Sequence, residues 1–245
     1  MRDGDFHVRG KEISRVEGLS DAVFGFAITL LVISLEVPKS ADEVLYAMRG
    51  LLAFAATFFL LFMIWRTQFT FFRRYGLEDN RTVFLNAVLM FTVLFFVYPL
   101  KFVFSTIVER LLWHTALRGR VQPESFNSRG MLLLTVAFGL GFAAVFGVFS
   151  MMYAHAYRLR DHLKLNPVEV YDTEGAMRAT RNATVIGVVV AASNAAMVLV
   201  GPDNDAIAYA TIVAMFGLIF RQVRFRRQRV TGRRAILATM AQAST

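Results

Sequence analysis

The sequence predicts an all-α membrane protein with six transmembrane helices per subunit and both termini on the cytoplasmic side. Three observations carry that reading. Hydrophobic residues make up 56% of the 245 positions, including 24 phenylalanines, more than a soluble core of this length requires. They fall in long blocks almost free of charge, as helices dissolved in lipid do. Lysine and arginine concentrate between alternate blocks, the pattern of cytoplasmic loops.

Crossing a hydrocarbon core takes roughly 20 residues at about 1.5 Å each. Six blocks qualify: Leu19 to Val37, Ala47 to Trp65, Val83 to Phe104, Met131 to Tyr153, Ala183 to Val200 and Ala206 to Phe220. No strand is expected, because backbone amides in lipid must pair within their own segment. The first block follows 18 mixed-charge residues and ends in Glu36-Val37-Pro38, unlike the small-residue end of a cleaved signal peptide. It is expected to remain in the chain. The last two blocks are joined by Gly201-Pro202-Asp203-Asn204-Asp205, a breaker-rich turn that predicts a helical hairpin. The stretch from Arg158 to Arg181 reads as a polar inner loop with room for a short surface helix. Residues 1–18 form a cytoplasmic N-terminal segment, 19–220 the transmembrane domain and 221–245 a basic cytoplasmic tail.

With both termini inside, the inner segments hold 4, 4, 5 and 7 lysines and arginines, 20 of the 27, which sets the orientation. The net charge of +9 therefore points to anionic lipid headgroups rather than nucleic acid. The chain has no cysteine, which excludes disulfides and thiol chemistry. His7, His114, His155 and His162 show no metal-ligand spacing, and no phosphate-binding loop follows a strand. Neither an enzyme nor a metal or cofactor site is expected. Gly139, Gly141 and Gly147 in the fourth block suit close helix contact.

An ionisable residue inside a span is a functional candidate. Asp21 lies near the start of the first span, six residues after Arg15. At about 100° per residue, the two point to different faces and each is expected to reach a neighbouring helix. Ser20, Asp21, Gln68 and Asn86 fall at similar depth on three consecutive helices, near Trp65. They read either as a structural clasp or as one that holds a pore helix in its conducting pose. Phe26, Thr29, Leu30 and Ile33 form one helical stripe. Spacing alone leaves that stripe open between packing and pore.

The run Arg15-Val16-Glu17-Gly18-Leu19-Ser20-Asp21, followed by an apolar helix containing Ile28-Thr29-Leu30-Leu31, closely resembles the opening helix of the prokaryotic branch of the endosomal and lysosomal transmembrane potassium channel family. Trp65, the Leu85-Asn86 pair and Pro99 extend the resemblance through the first hundred residues; beyond them only the hydropathy pattern agrees. The resemblance implies a potassium-permeable, leak-type channel in the plasma membrane. Its six-helix subunits would assemble as a homotetramer around a central pore lined by four first helices. It further implies that Phe26 forms the hydrophobic constriction, that Thr29 bears on cation selectivity and that Ile33 forms the next apolar layer, with Leu30 beside them. No Thr-Val-Gly-Tyr-Gly filter is present, in keeping with the family. Two departures stand out. Leu19 replaces the first residue of the family's Phe-Ser-Asp tripeptide. Gln68, which cannot titrate, stands near where relatives tend to carry histidine. Two alternatives accompany this reading: a proton-permeable channel of the same fold, and a proton-coupled secondary transporter using Asp21.

Overall fold

The computed structural model describes residues 2–3, 6–10, 12–33, 41–116, 128–201, 229, 232–233 and 236–239. Five long helices dominate them: α1 (Arg15–Ile33), α2 (Ala41–Tyr75), α3 (Asn80–Ala116), α4 (Ser128–Arg158) and α5 (Pro167–Val200). Each contains a stretch long and apolar enough to cross a membrane. The sixth expected span, Ala206 to Phe220, lies outside the described residues.

Local chemistry sets the helix starts. The Ser14 hydroxyl accepts a hydrogen bond from the Glu17 N–H at 3.1 Å, so α1 begins at Arg15, four residues before its apolar block. This is the helix-start pattern Ser-x-x-Glu. At α5, Asn166 accepts from the Glu169 N–H at 2.8 Å, and the Glu169 carboxylate accepts from the Asn166 N–H at 3.0 Å. Pro167 occupies the first turn, where its missing N–H is harmless. This double cap nucleates α5 well before its apolar part. Most of the stretch from Arg158 to Arg181, expected as a polar loop, is consequently helix. A second correction concerns strands. Two short ones, β1 (Arg2–Asp3) and β2 (Phe6–His7), pair antiparallel ahead of α1.

The ends of the helices alternate. The starts of α1, α3 and α5 and the ends of α2 and α4 share one layer, tied together by Tyr75–Thr173 (2.7 Å) and His155–Asp79 (2.9 Å) hydrogen bonds. This layer gathers three of the four segments that the charge count groups on one side. Val200 ends α5 at the opposite side, yet the Arg229 guanidinium stacks 3.8 Å over the Tyr171 ring and Arg233 pairs with Asp172 at 3.2 Å. By Arg229 the chain has returned to the Arg15 end.

Packing follows residue size. The core runs through Phe24, Ala27 and Leu31 of α1, Leu61 and Ile64 of α2, Leu89 and Val93 of α3, and Val148, Phe149 and Met152 of α4. The helices α4 and α5 approach most closely. A Cβ on Gly187 would stand 2.7 Å from the Ala143 nitrogen and 2.8 Å from the Gly139 carbonyl oxygen. Gly139 and Ala143 thus meet Gly187 and Ala191 backbone to backbone, the small-xxx-small contact of membrane helices. Gly141 leaves the notch that the Phe96 ring occupies.

Candidate functional site

α1 has two faces of opposite character. Glu17, Ser20, Phe24, Ala27 and Leu31 are buried against the rest of the subunit. Directly opposite, Leu19 and Phe26 are each 58% exposed, Ile33 is 70% exposed, and Ala22 and Thr29 are exposed as well. These positions alternate three and four apart, the seam spacing of helices that pack on other helices. The Thr29 hydroxyl donates to the Gly25 carbonyl at 2.9 Å, which satisfies the proton and leaves the oxygen lone pairs toward the open side. Leu30 departs from the stripe expected of it. It is half-buried, because a residue four after Phe26 sits about 40° around the helix toward the packed face.

The polar residues singled out above form two separate links, one on the packed face and one beside it. The first joins three helices. Asn86 donates to the Ser20 hydroxyl oxygen at 2.7 Å and accepts from the Gln68 amide at 3.1 Å. All three side chains are fully buried. Ser20 in turn donates to the Val16 carbonyl at 2.7 Å. One atom breaks the accounting: the buried Gln68 Oε1 has no hydrogen-bond partner among the described residues. In the second link, the Trp65 indole N–H donates to Asp21 at 2.7 Å. Asp21 therefore reaches α2, as its helical position requires, without joining the Ser20–Asn86–Gln68 chain. The Arg15 side chain is exposed and makes no hydrogen bond or ion pair among the described residues. The structure divides the predicted clasp residues between two links and leaves Arg15 outside both.

Sequence reasoning missed a second cluster, at the Arg15 end. The Arg9 guanidinium clasps Glu169, Nη2 to Oε2 at 2.7 Å and Nη1 to Oε1 at 3.3 Å. The same carboxylate accepts from the His7 N–H at 2.6 Å and the Asn166 N–H at 3.0 Å. A charge buried this deeply, with its side chain 1% exposed, is tolerable only when so fully paired. Phe6 is buried beside it, edge-on to Tyr75 at 5.6 Å and under the Arg74 guanidinium at 4.9 Å. The Asn166-Pro167-x-Glu169 cap was the readable signal for α5, but nothing in the local sequence ties Glu169 to Arg9. In the same layer, burial pushes the Asp79 carboxyl up. Hydrogen bonds from Thr82 and His155 outweigh it and hold the group below the ordinary carboxylate range. No group of residues suited to hold a metal ion occurs among the described residues.

Comparison with known proteins bears on the fold and the family. The family described as endosomal/lysosomal potassium channel TMEM175 matches over residues 15–96, which hold α1 and both polar links. A potassium channel of Marivirga tractuosa is 38% identical over 180 residues, covering 71% of this chain and 72% of the relative. A potassium channel of Chamaesiphon minutus is 29% identical over 96 residues, covering 36% and 47%. Among solved structures, the crystal structure of a threonine-to-alanine variant of the potassium channel MtTMEM175, in complex with a nanobody–MBP fusion protein, superposes with a TM-score of 0.78. It is 31% identical, covering 94% of this chain and 98% of that one. The chain belongs to the prokaryotic branch of the TMEM175 family and is a multi-pass potassium channel of the cell membrane.

Proposed function

We infer that the exposed face of α1 lines the ion path, in a homotetramer with four copies of α1 around a central axis. The termini then lie in the cytoplasm, as the charge count indicates. Conduction is passive and leak-type. Phe26 supplies a ring of apolar side chains that gates by expelling water. Thr29 offers hydroxyl oxygens to a partly dehydrated cation, and Ile33 forms the next apolar layer. Potassium over sodium selectivity should be modest, because hydroxyls make a sparser cage than stacked carbonyl rings.

One observation carries this reading: the composition of the open face of α1. Where the sides of α2 and α3 are open, they present mainly large residues suited to lipid, Phe59, Phe62 and Met63 on one and Phe84, Phe91 and Phe95 on the other, with Ala87 the small exception on α3. The open side of α1 instead includes Gly18, Ala22, Gly25 and Thr29, and a Cβ at either glycine would meet nothing within 4 Å in its own subunit. Small residues let neighbouring helices approach, and lipid gives no reason for them. The test is potassium flux from liposomes. Phe26→Ala should raise flux, as removal of a dewetting ring predicts. Unchanged flux in a variant that still assembles removes Phe26 as the gate.

A further inference from the structure

The residues just ahead of α1 are held more firmly than a leader to a membrane helix needs. Phe6 to Gly10 thread between the end of α2 and the start of α5. The Arg9 and Gly10 N–H groups both donate to the Arg73 carbonyl, at 3.2 and 3.1 Å, and the Arg73 guanidinium returns a bond to the Gly10 carbonyl at 2.9 Å. Arg9 spans to α5 through Glu169 and also donates to the Leu163 carbonyl at 2.8 Å. Two glycines make the path possible. A Cβ on Gly10 would stand 2.7 Å from the Phe72 carbonyl oxygen. One on Gly76 would stand 3.1 Å from both the Arg9 carbonyl carbon and the Gly10 nitrogen. Gly76 also needs its left-handed φ of 58°, which strains any other residue.

Residues 11–14 alone separate this strap from the first turn of α1. All of its anchors belong to α2, α5 and the α4–α5 connection, none to the open side of α1. The strap therefore draws the Arg15 end of α1 toward its own subunit and away from the open side.

We propose that residues 6–10 act as a strap that positions the pore-lining helix, with the Arg9–Glu169 pair as its fastener. The proposal rests on α1 lining the pore. Four apolar α1 faces around an axis gain by closing on one another, and the strap opposes that closure at one end of each helix. Arg9 is a positioning residue, remote from the ion path. Loosening the strap should lower conduction without altering which cation passes.

The experiment is liposome flux of the full chain, normalised to assembled protein, with the potassium/sodium permeability ratio measured in parallel. Arg9→Met removes the fastener and keeps most of the stem. Gly10→Ala wedges the strap away from Phe72 and leaves every charge in place. Each should reduce potassium flux by about three- to tenfold, a typical size for remote coupling, with the permeability ratio unchanged. Arg9→Lys, which keeps the charge on Glu169, should regain at least half of the lost flux. Glu12→Gln, at an exposed position between strap and helix, should match the wild type. Flux within twofold of wild type for both Arg9→Met and Gly10→Ala overturns the proposal, as does a changed permeability ratio. Phe26→Ala measured alongside separates the two claims. If it raises flux while the strap variants do nothing, only the strap fails. If it does nothing, the pore assignment fails and takes the strap with it.

Discussion

Replacing Asn86 with leucine should damage the protein more than replacing Asn86 and Gln68 together. Asn86 is fully buried and makes two interhelical hydrogen bonds, to Ser20 at 2.7 Å and from Gln68 at 3.1 Å. Bonds of this kind contribute roughly 0.6 to 2 kcal/mol each in a membrane protein. Asn86→Leu removes both, and it also strands the Gln68 amide nitrogen beside an oxygen that already has no partner. A buried donor left unpaired costs about 1–3 kcal/mol. The single variant should therefore lose at least about 2 kcal/mol. Gln68→Met in addition takes the stranded amide away, while Ser20 stays satisfied by the Val16 carbonyl at 2.7 Å. Replacing both partners by apolar groups of similar shape is close to neutral, so the double variant should lie within about 1 kcal/mol of wild type. Reversible unfolding in detergent across the full double-mutant cycle measures the difference. A double variant as unstable as the single, or a single variant indistinguishable from wild type, refutes the reasoning.

Two further predictions follow from the same contacts. Gly187→Val places methyl groups where the Ala143 nitrogen and Gly139 oxygen already stand 2.7 and 2.8 Å from a Cβ. The α4–α5 hairpin must part, and unfolding in detergent should register a loss of at least about 2 kcal/mol. Asp79 precedes α3, accepting from the Arg81 N–H at 3.2 Å and the Thr82 hydroxyl at 2.6 Å, so Asp79→Ala should lose about 0.5–2 kcal/mol at neutral pH. The folded carboxyl titrates below its unfolded value. Its contribution is thus complete above about pH 4 and vanishes as pH falls through the depressed value. The gap in melting temperature between variant and wild type should close on acidification; a gap that widens reverses the sign.

The first helix was legible because membrane sequence is sparse in polar residues. Ser20, Asp21, Gln68 and Asn86 stand out against apolar neighbours, and alternating helix directions put them at one depth. Their actual pairing was not legible. A rotation of a few tens of degrees decides whether Asp21 meets Asn86 or Trp65, and packing of the face that carries Phe24, Ala27 and Leu31 fixes it. Hydropathy likewise marks where α5 becomes apolar but is blind to where it starts. There the Asn166–Glu169 cap decides, and it acts through backbone groups that a polar composition hides. The strap was the least legible part. Arg9 and Glu169 are 160 residues apart, and their charges read locally as ordinary solvated ends.

The anchors of α1 are unevenly distributed, and that bears on how the proposed pore opens. The strap, the Ser20–Asn86–Gln68 chain and the Asp21–Trp65 bond all meet α1 at or before Asp21. Among the described residues beyond it, the packed face is apolar, with Phe24, Ala27 and Leu31 buried and Ile28 packed beside them. Hydrogen bonds are directional and lost abruptly, whereas apolar contacts slide. The low-cost motion of α1 is therefore a tilt about its Arg15 end. Phe26 stands about 16 Å from that pivot and Ile33 about 27 Å, at about 1.5 Å per residue. A tilt of roughly 10° then shifts Phe26 by about 3 Å, comparable to the diameter of a water molecule and so enough to wet an apolar ring. The same tilt moves Ile33 by about 5 Å. In the proposed pore Phe26 would then set the threshold for conduction, and Ile33, which clears first, would contribute little to it.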